Sequence, residues 1–175
     1  MKAIRANGWY FRGCLFVNLM LNDEGIHVLE FNCRMGDPAM LVDIELLESS
    51  LTELLLCTAQ GRLSMATIVF KNGFALARTI VDAGYPDAMD EAGPFVLPAT
   101  ASRSKLFIAG LHSTAGGLFS NNGVIVSAVA YDITLEAAKF RSLRLARAFM
   151  SSNSAIALYM RSDIGDSIEV PRRFC

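Results

Sequence analysis

The densest polar cluster in the 175-residue sequence is Glu30-Phe31-Asn32-Cys33-Arg34-Met35-Gly36-Asp37-Pro38. If its first half is a strand, side chains alternate, so Glu30 and Asn32 share one face while Leu29 and Phe31 share the other. A carboxylate and an amide oxygen side by side suit Mg2+, which takes one or two oxygens from protein and the rest from water and substrate phosphates. Arg34 adds a planar fork matched to phosphate or carboxylate. Gly36 lets the backbone come close to a ligand. A helix opening at Asp37-Pro38 turns its N-terminus toward the same region, which favours anions. The plainer account makes Glu30 and Asn32 the wet face of an amphipathic strand and Asp37-Pro38 a simple cap. On spacing alone it is the stronger of the two.

Other chemistry-bearing residues offer less. His27 falls on the Leu29 and Phe31 face and reads as structural, and His112 sits in an expected loop with no partner to name. Cys14, Cys33, Cys57 and Cys175 form no CxxC pair and read as small buried hydrophobes with reduced thiols, which fits a cytoplasmic protein. Ser113-Thr114-Ala115-Gly116-Gly117 has the composition of a phosphate loop but lacks the Lys-Ser/Thr ending, so it reads as a turn. Lys2 and Arg12 read as solvated charges.

The elements that must hold the polar cluster are legible around it. Residues 14–21 and 26–32 read as two strands around the turn Asn22-Asp23-Glu24-Gly25. Asp37-Pro38 opens a helical stretch whose apolar face is Met40, Leu41, Ile44 and Leu47. Ser50-Leu51-Thr52-Glu53 matches a capping box, and its helix should end near Gly61. After Leu63 the pattern changes to β-rich runs at 66–71, 74–81, 105–109 and 123–131. Turn signals separate them at Gly84-Tyr85-Pro86, Gly93-Pro94, Gly116-Gly117 and Asn121-Asn122-Gly123. A last helix should run from Thr134 to about Met150, followed by an apolar run at 154–159. The expected architecture is α+β, divided into residues 1–63 and a β-rich 64–175.

Composition bounds the function classes. Hydrophobic residues make up 53% and charged residues 19%, enough for a core and unlike a disordered chain. Sixteen Lys and Arg against 17 Asp and Glu leave a net charge of -1, so no global attraction to nucleic acid is expected. The apolar run at 14–21 is broken by Asn18 and is too short to span a membrane.

The stretch from Phe11 to Leu63 resembles the end of the ATP-grasp core of the phosphoribosylamine–glycine ligase (glycinamide ribonucleotide synthetase) family. That family's pattern there is roughly Y-x-G-V-L-Y-A-G-L-M-L, then L-E-F-N-x-R-F-G-D-P-E, then L-L-E-S-D-L-x-E-L-L. The matching residues are Phe11, Gly13, Leu15, Phe16, Leu19 to Leu21, Leu29 to Asn32, Arg34, Gly36 to Pro38, Leu46 to Ser49, Leu51, and Glu53 to Leu55. The second half is similar to the family's small C-terminal domain at Ala83-Gly84-Tyr85-Pro86, Phe107-Ile108-Ala109-Gly110, Gly123 to Ala130 and Arg161-Ser162-Asp163-Ile164-Gly165. The pieces occur in the family's order.

The resemblance implies an ATP-dependent ligase of de novo purine synthesis that joins phosphoribosylamine to glycine, giving glycinamide ribonucleotide, ADP and phosphate. Glycine's carboxylate would take the γ-phosphoryl group, and the amine would then displace phosphate from glycyl phosphate. It implies Glu30 and Asn32 as ligands of Mg2+ or Mn2+ and Leu29 beside the adenine of ATP. Arg34 and Asp37 would be catalytic, and Arg34, Gly36, Asp37 and Pro38 would face the substrate. The sequence departs from the pattern at Ala39 for Glu, Met40 and Leu41 for Thr-Gln, Ile108 for His, and Met89 for Tyr. The family's N-terminal domain and ATP-clamping lid have no counterpart here, so a piece of a larger ligase is expected. The alternative is a non-catalytic truncated or degenerate remnant acting as a structural or interaction module.

Overall fold

A computed structural model describes residues 2–87, 91–120 and 123–166. Met1, Met89, the Asn121-Asn122 turn signal and Cys175 lie outside the described residues. The chain separates into two compact units, one of residues 1–40 and 47–71, the other of 41–46 and 72–175.

The first unit opens with a short helix, α1 (Lys2–Ala6), and continues into the antiparallel hairpin β1 (Phe16–Asn22) and β2 (Gly25–Asn32). The turn forms because the Asn22 Oδ1 accepts from the backbone N–H of Glu24 at 3.0 Å and of Gly25 at 3.2 Å. That is the local side-chain bonding which favours Asn at turns. His27 places its Nε2 3.2 Å from the same oxygen, so it braces the turn.

Helix α2 (Ala39–Leu46) starts directly after Asp37-Pro38, and its residues from 41 onward group with the second unit. Helix α3 (Leu51–Ala59) begins as expected: the Ser50 Oγ accepts from the Glu53 N–H at 3.3 Å. Gly61 closes it at φ +70°, a left-handed position that suits glycine.

Several expectations fail in this unit. Cys14 and Cys33, read as buried, are exposed, and Cys57 is half-buried. The run 66–71 builds no strand. It pairs instead with the turn before α3, where the Ser49 Oγ accepts from Val69 N–H at 2.8 Å and donates to Thr67 O at 3.0 Å. A single bridge joins Leu47 to Phe70, because the chain turns into α3 immediately afterwards. Arg12 is not a free solvated charge. Its Nη1 donates to Ala59 O, 3.4 Å away at the end of α3, where a cation meets unsatisfied carbonyls and the negative end of the helix dipole.

The second unit has a four-stranded antiparallel sheet in the order β5-β8-β3-β9. Its strands are β3 (Phe74–Asp82), β5 (Ser104–Ile108), β8 (Val124–Asp132) and β9 (Leu158–Met160). A smaller sheet, β4-β7-β6, comprises β4 (Ala92–Phe95), β6 (Leu111–Thr114) and β7 (Gly117–Ser120). Helix α4 (Leu135–Ser152), capped by Thr134, packs on β8 and β3. Ile80, Ile125, Val126, Ala128, Leu145, Ala146 and Phe149 form the core, with Phe95 stacked on Phe149 at 6.0 Å.

Gly93-Pro94 was expected as a turn and lies inside β4. The register slips there, Ala92 facing Ser120 and Phe95 facing Leu118, so the proline occupies an irregularity where no ladder donor is needed. His112 likewise sits in β6 opposite Phe119 rather than in a loop. The Ser113–Gly117 segment is a hairpin turn: Thr114 Oγ1 accepts from the Gly116 N–H at 3.1 Å.

Arg78 is the feature that sequence reading missed. It lies on the inward face of β3 with Leu76 and Ile80, and only 1% of it is exposed. Its Nε donates to Ser142 Oγ at 3.2 Å. Nη1 donates to Arg161 O at 3.1 Å and Ser162 O at 2.9 Å, and Nη2 to Ile164 O at 2.7 Å. Burial lowers its pKa from the usual value, against the opposing pull of Asp166 and Asp163. The Arg161–Gly165 motif is thus wrapped around one guanidinium. Gly165 is required there: at φ +84°, an added Cβ would lie 2.6 Å from Leu76 Cδ2.

At the end of β8, Asp132 accepts from Arg141 Nε, from the Ile133 N–H at 2.8 Å and from Arg103 at 3.1 Å. These bonds, Arg141's first, hold its carboxyl below the ordinary range, and Arg161 does the same for Asp163. A carboxyl whose folded-state pKa is depressed stabilises the fold above its unfolded value, about 4, and loses that contribution as pH falls through the folded value. Thermal unfolding should therefore shift downward as pH falls below about 4. Asp132→Asn should make this decline shallower, and melting curves across acid pH check it.

Candidate functional site

The strand alternation expected at the polar cluster is realised over Glu30–Asn32. The Asn32 Nδ2 donates to Glu30 Oε1 at 3.0 Å, so both side chains occupy one face. Opposite them stand Asn18, facing Glu30, and Phe16, facing Asn32.

Next to them the register slips. Asn18 faces Glu30 while Leu19 faces Val28, which leaves Leu29 as the extra residue of a bulge. A bulge interrupts the period of two, so the alternation meant to pair Leu29 with Phe31 is broken at Leu29. The two remain exposed, at 56% and 66%.

Gly36 is buried, and the close approach it permits is not to an open ligand space. A Cβ there would lie 2.7 Å from the Phe16 ring. The ring of β1 presses on the Gly36 backbone, so the turn after β2 is held against the strand face that carries Asn32. Arg34 is exposed and donates Nη1 to the carbonyl of its neighbour Met35 at 3.0 Å. Asp37 and Pro38 are exposed just ahead of α2, whose first turn closes with Met40 N–H to Gly36 O at 2.8 Å.

The donor set fits Mg2+. Asn32 uses its amide N–H on Glu30, and the Asn32 Oδ1 and second Glu30 oxygen have no protein donor among the described residues. No group of three or more His, Cys, Asp or Glu side chains is placed to hold a metal among the described residues. Mg2+ does not need one, because it commonly keeps waters and phosphate oxygens as its remaining ligands. No helix among the described residues is long and apolar enough to cross a membrane.

Comparison with known proteins agrees with the sequence resemblance. Residues 1–40 match the family model for the phosphoribosylglycinamide synthetase ATP-grasp (A) domain. A phosphoribosylamine–glycine ligase of Leptospira interrogans is 33% identical over 163 residues, covering 92% of this chain and 37% of the relative. The crystal structure of the ligase from Thermotoga maritima superposes with a TM-score of 0.71 at 26% identity, over 92% of this chain and 38% of that one. The biotin carboxylase domain of Hydrogenobacter thermophilus 2-oxoglutarate carboxylase shares the fold, with a TM-score of 0.60 at 15% identity. The chain spans a little over a third of the length of the ligases it matches. Sequence and fold together make this chain homologous to about a third of the phosphoribosylamine–glycine ligases it matches.

Proposed function

We propose that the chain contributes part of the active site of an ATP-dependent ligase that joins phosphoribosylamine to glycine in purine biosynthesis. The carrying observation is the Glu30–Asn32 pair, two oxygen-bearing side chains on one strand face, 3.0 Å apart, within a string that matches the family. In this reading residues 1–63 are the end of the ATP-grasp core and residues 64–175 the C-terminal domain. Glu30 and Asn32 hold Mg2+ or Mn2+, which when bound neutralises the charge of the ATP phosphates. Leu29, exposed at the bulge, would lie beside the adenine, as the resemblance implies.

Arg34 spends one N–H on the Met35 carbonyl, and the rest of its planar fork could donate to a phosphate. Gly36, held under Phe16, fixes where Asp37 and Pro38 present themselves to substrate. Phosphoryl transfer is mostly positioning and charge neutralisation, so these roles match what the fold supplies. The N-terminal and lid regions of a complete ligase would be the structural partners, and the setting is the cytoplasm.

A second reading, a non-catalytic interaction module, is favoured by the apolar exposure of the hairpin. Leu19, Met20, Leu21, Ile26, Val28, Leu29 and Phe31 are all exposed. The two readings are separated by a chimera of the Thermotoga maritima ligase in which this sequence replaces the corresponding third. ADP release coupled to a reporter, with phosphoribosylamine and glycine, should be retained in the chimera and absent from the chain alone. A folded chimera that binds ATP but does not turn over would leave the interaction module as the function.

A further inference from the structure

The first unit carries a cavity of about 560 Å3 that does not include Glu30, Asn32 or Arg34 among its described lining residues. Its walls bring together Arg5, Arg12, Trp9, Tyr10, Thr58 and Ser64. Two arginines face this space, and no carboxylate lines it among the described residues. Trp9 is 68% exposed and Tyr10 76%, an unusual display for large aromatic rings.

The Arg12 guanidinium lies 5.0 Å from the Tyr10 ring centroid and donates to Ala59 O. That bond takes one of five N–H donors, and the rest of the fork is available to an anion. Gly61 makes room for it, since a Cβ there would sit 3.0 Å from Arg12 Cζ. Arg5 forms no ion pair among the described residues.

Uncompensated arginines select an anion, with the guanidinium fork suited to phosphate. Exposed indole and phenol rings select a flat, π-bearing group, because base–aromatic stacking is favourable and tolerant of base identity. The volume falls in the range of small-molecule sites. From this juxtaposition we infer that the cavity binds a nucleoside monophosphate, its base stacked on Trp9 or Tyr10 and its phosphate held by Arg12 and Arg5. This goes beyond the proposed ligase role: binding needs no metal and does not use the Glu30–Asn32 face.

Trp9 is the single tryptophan of the chain, so its fluorescence reports on this cavity alone. The full 175-residue chain is titrated with AMP, GMP, adenosine and inorganic phosphate in the presence of EDTA. AMP and GMP should quench saturably, with adenosine and phosphate each weaker by about tenfold or more. Arg5→Gln and Arg12→Gln should each weaken AMP about tenfold while leaving adenosine unchanged. Glu30→Ala should leave AMP binding intact whether or not the ligase reading holds.

Arg12 also braces α3, so its variant is judged only with an unchanged circular dichroism melt, and Arg5→Gln stands as the independent probe. Equal affinity for phosphate and AMP would reduce the cavity to a plain anion site and overturn the proposal. So would AMP binding that survives Arg5→Gln in full, or that disappears in Glu30→Ala. Quenching that grows with protein concentration and without ligand would show a second copy in the cavity and would also overturn it.

Discussion

Replacing Glu30 by alanine in an active chimeric ligase should lower turnover by about 10²-fold or more, the scale of losing a charge-stabilising group at a phosphoryl-transfer site. Glu30 carries the one full negative charge on its strand face, and Asn32 can offer only a neutral oxygen beside it. Without the carboxylate, the divalent ion loses its charged protein ligand, and the phosphates of ATP keep their repulsion. Asn32→Ala should cost less, because it removes a neutral ligand and the hydrogen bond that orients Glu30. The effect should appear in kcat, with partial rescue at high Mg2+ concentration. The coupled ADP assay measures it at several Mg2+ concentrations. Turnover that is indifferent to Glu30→Ala would leave the residue as a wet surface position, the plainer account.

Arg78→Met should destabilise the second unit by about 1–3 kcal/mol, the range for leaving hydrogen-bond acceptors without their charged donor. Methionine fills much of the volume and keeps the apolar stem, so the loss reports on the guanidinium. Its removal leaves the carbonyls of Arg161, Ser162 and Ile164, and the Ser142 hydroxyl, without this shared donor. Arg78→Lys should fall between, since one ammonium cannot reach Ser142 and three carbonyls at their present spacing. Urea denaturation gives the free energy, and the melting midpoint should drop by about 5 °C or more. A midpoint within a degree or two of the unsubstituted protein would mean that the closing motif holds itself. The proposed AMP cavity, which lies in the other unit, should be unaffected.

The scaffold around the polar cluster was legible because it is local. The 14–32 hairpin is announced by its Asn-Asp-Glu-Gly turn, α3 by Ser50 and Glu53, and α4 by Thr134 and its apolar period. The Glu30–Asn32 face follows from period-two alternation alone. What escaped depends on partners distant in the chain. The bulge at Leu29 comes from pairing with β1, and nothing in β2 marks it. Strand β4 hid behind Gly93-Pro94, because that pair reads as a turn unless β7 is known to accommodate it. The run 66–71 has strand composition but meets only the turn at 47–49, so no ladder grows. Arg78 did leave a signal. A charge at an inward position of FALARTIVD demands a buried acceptor set, and the Arg161–Gly165 motif supplies it more than eighty residues later.

The distribution of burial carries a consequence for how the molecule opens in time. In the first unit Gly36 is the only buried residue among those described, whereas the second has a continuous core from β3 to α4. Local opening free energies track apolar enclosure, so backbone amides of one protein can differ widely in how often they meet solvent. Amide protons of β1 and β2 should therefore exchange with deuterium through frequent, shallow openings, while those of β3 and β8 wait for the second unit to unfold as a whole. A ligand seated between α1 and α3 would then act as a clock on the first unit, slowing its exchange in proportion to occupancy and leaving the deuteration of β8 untouched.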